Sequence, residues 1–95
     1  MAGYRPEIPP DVAAVIRHLP PEVKRAVRAG IRGLASNPAA GAPLRGELEG
    51  RFKYRVRRFR IVYRVDRANR VLRIVAVGQR RSVYEEVAEL IRQQK

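Results

Sequence analysis

Residues 51–65 read RFKYRVRRFRIVYRV, and the alternation in this stretch is the strongest fold signal in the chain. Phe52, Tyr54 and Val56 share one parity, while Lys53, Arg55 and Arg57 share the other. Beyond Arg57 and Arg58 the pattern resumes, with Phe59, Ile61, Tyr63 and Val65 set against Arg58, Arg60, Val62 and Arg64. A period of two belongs to a β-strand with one packed face and one solvated face. Two antiparallel strands joined at Arg57-Arg58 are therefore expected. Such a turn usually requires positive φ, which arginine disfavours. A turn of another type is expected here, and it leaves the register of Lys53 against Arg60 open.

Working outward, residues 66–69 make a turn and RVLRIVAV (70–77) follows, apolar enough for an interior strand. Three successive strands with short connections form an antiparallel meander. Residues 82–94 then predict a helix. Ser82 and Glu85 have capping-box spacing, and Val83, Val87, Leu90 and Ile91 form its apolar side. Upstream, ASNPAAGAPLRGELEG (35–50) is a loop. Residues 22–35 predict a helix that buries Val23, Ala26, Val27, Ile31 and Leu34, with Lys24, Arg25, Arg28 and Arg32 mostly on the other side. PPDVAAVIRHLP (9–20) predicts a shorter helix with a stripe of Val12, Val15, Ile16 and Leu19 and with Asp11 at its N-terminus. Residues 4–8 predict a short strand in which Pro6 must lie at an edge or a strand end. The expected architecture is α+β: an N-terminal strand and an antiparallel helical hairpin packed on a β-meander, plus a C-terminal helix. One sheet face is expected under the hairpin, and the other is expected to carry rows of cations.

Composition bounds the chemistry. Ninety-five residues suit one domain, 1–95, with a small core. There is no cysteine and one histidine, His18, which excludes disulfides, thiolate metal sites and multi-histidine zinc sites. No metal or other cofactor is expected. No apolar run approaches a membrane span, and residues 1–10 lack the apolar core of a secretory signal, so a cytoplasmic location is the default. The formal net charge is +12 with a pI near 11.5, the electrostatic footprint of a nucleic-acid binder. Eighteen of the 21 basic residues are arginine, whose guanidinium fork grips phosphate oxygens bidentately and stacks on bases.

Basic residues alternating on adjacent strands project from one face with neighbours about 5 Å apart. Lys53, Arg55 and Arg60 are expected to share a face, with Arg57, Arg58 and Arg64 extending the positive field. Like charges this close repel unless an anion offsets them. The alternative is a solvated face whose arginine stems cover apolar surface, the favoured reading for Arg64, Arg67, Arg70 and Arg73 taken singly.

The run FKYRVRRFRIVYRVD (52–66), then VLRIVAVGQRRSVY (71–84), with LRG at 44–46 upstream, resembles the RelE/ParE superfamily of toxins from toxin–antitoxin pairs. The resemblance covers nearly the whole chain and is most specific over 44–84. It implies a toxin of a type II system that cuts mRNA in the A site of the 70S ribosome without metal, the ribose 2′-hydroxyl attacking the adjacent phosphate. Carried over by position, Lys53 and Arg55 lie near the attacking hydroxyl and the phosphate. Arg60 stabilises the phosphorane, Arg80 lies near the leaving oxygen, and Tyr84 stacks on a base. Arg57, Arg58 and Arg81 are further RNA-binding candidates, Arg81 being the substitute for Arg80 if the register slips. An antitoxin encoded nearby is the implied partner.

Arg55 stands where the best-known RelE toxin has a lysine read as general base, and a guanidinium, which keeps its proton, is a poor proton acceptor. Lys53 is the lysine of the cluster and the remaining candidate for the base. Either Lys53 takes the proton or Arg55 acts only electrostatically at a slower rate. His18 reads as a surface or helix-terminus residue, and Glu85 and Glu86 as favourable charge in a first helical turn. Two other functions fit the scaffold: a ParE-like DNA gyrase inhibitor, and a non-catalytic RNA- or ribosome-binding module.

Overall fold

The computed structural model describes residues 3–79 and 81–94. In chain order these form β1 (Arg5–Glu7), α1 (Pro10–Arg17), α2 (Pro21–Ser36), β2 (Ala42–Pro43), β3 (Phe52–Val56), β4 (Phe59–Asp66), β5 (Val71–Gly78) and α3 (Ser82–Gln93), with short 3₁₀ turns at Pro38–Ala40 and Gly46–Leu48. The strands make one sheet in the order β1-β5-β4-β3-β2. The meander of β3, β4 and β5 is antiparallel, as the alternation predicts, and β1 pairs with β5 in parallel. Pro6 lies on that edge strand, where its missing N–H costs no ladder bond.

Prolines open both N-terminal helices. Pro10 begins α1 after an extended Pro9, and Pro21 begins α2 after Pro20, where the absent N–H and fixed φ suit the first turn. The ring Nδ1 of His18 lies 2.8 Å from the Ala14 carbonyl at the end of α1, the expected helix-terminus role. Val12 and Ile16 are buried, but Val15 is 45% exposed. Eight residues present a narrower stripe than i, i+3, i+4 and i+7 implied, and Val15 falls on its solvent flank.

The main core lies between the helical hairpin and one sheet face. Val27, Ile31 and Leu34 of α2 meet Ile61, Tyr63, Leu72, Ile74 and Val77, with Val12 and Ile16 of α1 beside them. Gly30 permits the close approach: a Cβ there would lie 2.9 Å from Val56 Cγ2.

The opposite face departs from the expected open row of cations. Val62 is fully buried there under Val83 and Val87 of α3, with Leu44, Leu48, Val75, Ala76 and Ile91 packed around them. A β-bulge makes this possible. Val62 pairs with Ala76 while Tyr63 pairs with Ile74, so Val75 is an extra residue in β5. Val75 and Ala76 consequently both meet α3, while Ile74 and Val77 still face the hairpin. The face is thus cationic at both ends with an apolar waist.

Helix α3 is clasped at its far end by Arg92, whose Nε and Nη2 donate to both Glu47 carboxylate oxygens at 2.9 and 2.8 Å while Nη1 donates to Glu89 at 3.0 Å. The capping box is not formed. Arg81 occupies the N-cap, no side chain caps the helix, and Ser82 is its first residue, one position too late for the role. Leu90 is 46% exposed because α3 lays Val83, Val87, Ala88 and Ile91 toward the sheet instead. No helix among the described residues is long and apolar enough to cross a membrane.

Candidate nucleic-acid cleft

A two-residue turn sets the cationic strands in register. Val56 pairs with Phe59, and Arg55 consequently stands directly opposite Arg60, with Lys53 opposite Val62. Arg57 adopts φ +57° while Arg58 stays negative, the sign pattern of a type II′ turn, whose first central position normally holds glycine. The turn is thus not of the type with two positive φ values, yet arginine does occupy a left-handed site there. For a residue with a Cβ this costs roughly 1–2 kcal/mol.

Arg55 and Arg60 are each aimed by a backbone carbonyl. Arg55 Nε–H donates to Arg57 O at 3.1 Å and Arg60 Nη1–H to Gln79 O at 2.9 Å. The ion pairs of the described residues join Arg73 to Glu7 and Asp66, and Arg92 to Glu47 and Glu89. None reaches Lys53, Arg55 or Arg60. These three cations line one cleft of about 340 Å³ with Tyr54, Tyr84, Ala40, Gly41 and Ala42. Lys53 and Arg55 are exposed, Arg60 and Tyr84 half-buried. Two adjacent guanidiniums without a carboxylate, oriented by carbonyls and bordered by a tyrosine, are chemically complementary to a phosphate next to a base.

The far wall of the cleft depends on Tyr63, which faces the core. Its hydroxyl donates to Pro38 O at 2.7 Å and accepts from the Gly41 amide at 3.0 Å. Gly41 is required by the fit, since a Cβ would lie 2.2 Å from the Tyr63 hydroxyl and 2.7 Å from Lys53 O. Burial pushes the Tyr63 hydroxyl above the ordinary phenol range, against the opposing pull of the Gly41 amide. Phe52 stacks on the same ring with centroids 5.5 Å apart. Nothing in the local pattern singled out this residue, because by parity Tyr63 reads as one more core aromatic.

The remaining sequence candidates fall elsewhere. Arg57 and Arg58 line a neighbouring depression beyond the hairpin tip. Arg81 caps α3, its carbonyl accepting the Tyr84 amide at 2.9 Å. Arg80 lies outside the described residues. Arg64 does not extend this field: it lines clefts at the other end of β4 with Arg73, four residues from Arg60 and beyond the apolar waist covered by α3. Arg51 lies there too, its guanidinium held below its ordinary pKa by burial and by Arg64.

Residues 6–84 match the family described as ParE toxin of type II toxin–antitoxin system, parDE. Among solved structures, a chain of the toxin–antitoxin complex RelBE2 from Mycobacterium tuberculosis is 30% identical, with a TM-score of 0.75 over 82% of this chain and 99% of that one. A mutant of the Escherichia coli toxin RelE in the free state is 20% identical, with a TM-score of 0.76 over 97% of both chains. The archaeal RelE–RelB complex from Pyrococcus horikoshii contains a chain 22% identical, with a TM-score of 0.69 over 85% of this chain and 98% of that one. No curated protein matches in sequence.

Proposed function

The chain belongs to the ParE toxin family of type II toxin–antitoxin systems, within the RelE/ParE superfamily, and on that premise we propose that it is a ribosome-dependent mRNA endoribonuclease. The observation carrying this reading is the cleft that joins Lys53, Arg55, Arg60 and Tyr84 without a paired carboxylate. In the proposed reaction Lys53 removes the proton of a ribose 2′-hydroxyl, and the freed oxygen attacks the adjacent phosphorus. Arg55 and Arg60 neutralise the oxygens of the phosphorane, where negative charge accumulates. The P–O5′ bond then breaks and the leaving oxygen takes a proton from solvent, leaving a 2′,3′-cyclic phosphate and a 5′-hydroxyl end. Arg80 attends the leaving oxygen, and Tyr84 holds a base in place by stacking. No metal takes part.

The natural partner is an antitoxin, as in the RelE–RelB complexes that this fold resembles. The family description favours a second reading, a ParE-like poison of DNA gyrase. Purified protein added to programmed 70S ribosomes, with cuts mapped by primer extension, tests the first reading. A supercoiling assay with gyrase tests the second. A-site cuts lost in Lys53→Ala support the nuclease. Intact message together with inhibited supercoiling overturns it.

A further inference from the structure

Around the tip of the β3–β4 hairpin, a second depression of about 580 Å³ adjoins the cleft, lined by Pro20, Val23, Arg57, Arg58, Phe59 and Gln79. It lies on the helical-hairpin side of the sheet, where Phe59 and Val23 border the main core. Two hydrogen bonds link it to the cleft. The carbonyl of Arg57 aims Arg55, and the carbonyl of Gln79 aims Arg60. The residues that orient the cleft cations are therefore also walls of the depression.

Its chemistry is divided. Pro20, Val23 and Phe59 present an apolar wall that offers no hydrogen bonds. Arg57 and Arg58 rim it as exposed guanidiniums in no ion pair among the described residues, and Gln79 adds an exposed amide. An aromatic ring with polar edges, attached to a phosphate, meets all three requirements. We propose that the depression is a nucleotide subsite: it receives the base of a nucleotide flanking the phosphate held by Arg55 and Arg60, while Arg57 and Arg58 hold that nucleotide's own phosphate. On this proposal a single strand wraps the hairpin tip to occupy both sites. The proposal rests on the RNA reading of the cleft and adds a place where sequence preference is set outside it.

The test uses a single-stranded hexanucleotide with 2′-O-methyl riboses, which cannot supply the attacking oxygen, titrated by fluorescence anisotropy. Removing the terminal nucleotide from one end weakens binding to wild type roughly 5- to 100-fold, the range of a base–aromatic contact. In Val23→Phe, which fills the depression, the same removal costs less than about twofold. Equal losses in both proteins from either end overturn the subsite, as does failure of wild type to bind the strand. Should Val23→Phe melt early by circular dichroism, the exposed Arg58→Ala serves instead, lowering the salt slope by about 0.7. An unchanged slope overturns the phosphate contact. The nuclease reading fails separately: wild type that shows this coupling yet leaves message intact on ribosomes keeps the subsite and loses the cleavage.

Discussion

The amide of Gly41 lies 3.0 Å from the Tyr63 hydroxyl, and the same hydroxyl donates to Pro38 O at 2.7 Å. A core side chain thereby ties down the segment that walls the cleft beside Lys53. The energetics of this clamp are local, but its geometry reaches the proposed chemistry.

Tyr63→Phe leaves the Gly41 amide and Pro38 carbonyl without their partner, at a cost of about 1–3 kcal/mol, read as a lower urea midpoint. The alkaline limb supplies a second readout. The folded pKa of Tyr63 is raised, so its contribution is fully present below the ordinary phenol value near 10 and is lost as pH rises through the folded one. Wild type is expected to lose stability over that window more steeply than Tyr63→Phe.

Gly41→Ala places a methyl group against the Tyr63 hydroxyl and the Lys53 carbonyl. Overpacking of this kind costs about 1–3 kcal/mol. In the double variant with Tyr63→Phe, part of the clash is relieved, so the two effects sum to less than their separate values in a urea double-mutant cycle.

Arg57→Gly releases a left-handed arginine while keeping the carbonyl that holds Arg55. A gain of about 1 kcal/mol is expected, measured by equilibrium unfolding. A loss of stability would show that the Arg57 side chain makes contacts worth more than the strain.

Arg60→Ala removes one of two cations facing each other across β3 and β4. Stability is expected to hold or rise by a few tenths of a kcal/mol, while ribosome-dependent cleavage falls about 10²–10³-fold. Lys53→Ala is expected to lower cleavage about 10²–10⁴-fold at unchanged stability. Activity of Lys53→Ala equal to wild type removes it as the base.

At the other end of the meander, Asn69 donates from its backbone and side-chain amides to Asp66 at 3.1 and 3.0 Å. These bonds, with a smaller contribution from Arg73, hold the Asp66 carboxyl below its ordinary pKa of 3.8. Its contribution is therefore complete above the unfolded value and disappears as pH falls through the folded one. Asp66→Asn is expected to flatten the acid limb of a stability–pH profile.

Much of the fold was legible because β-strand parity is a local property. Lys53, Arg55 and Arg60 could be assigned to one face from the alternation alone, and the prolines at 10 and 21 mark helix starts by restricting their own backbones. Val15 and Leu90 were assigned to buried stripes because periodicity identifies a stripe without giving its width. That width depends on how squarely each helix meets the sheet. Arg64 was grouped with the cleft because it shares the face of Arg60, and only packing shows α3 crossing between them.

By itself, then, the sequence determined the order of the helices and the longer strands, the two faces of the meander and the identity of the cations, all set by interactions within a few residues; β2, read as loop, forms only by pairing with β3. Tertiary structure decided the rest. It placed the extra residue Val75 in β5, which turns two neighbours toward α3. It held Arg57 in a conformation that its own side chain opposes. It turned Tyr63 from a core aromatic into the anchor of the cleft wall, 22 residues from Gly41 along the chain. Each of these pairs distant segments whose contact no local preference encodes, and the free energy that selects it comes from burying the core as a whole.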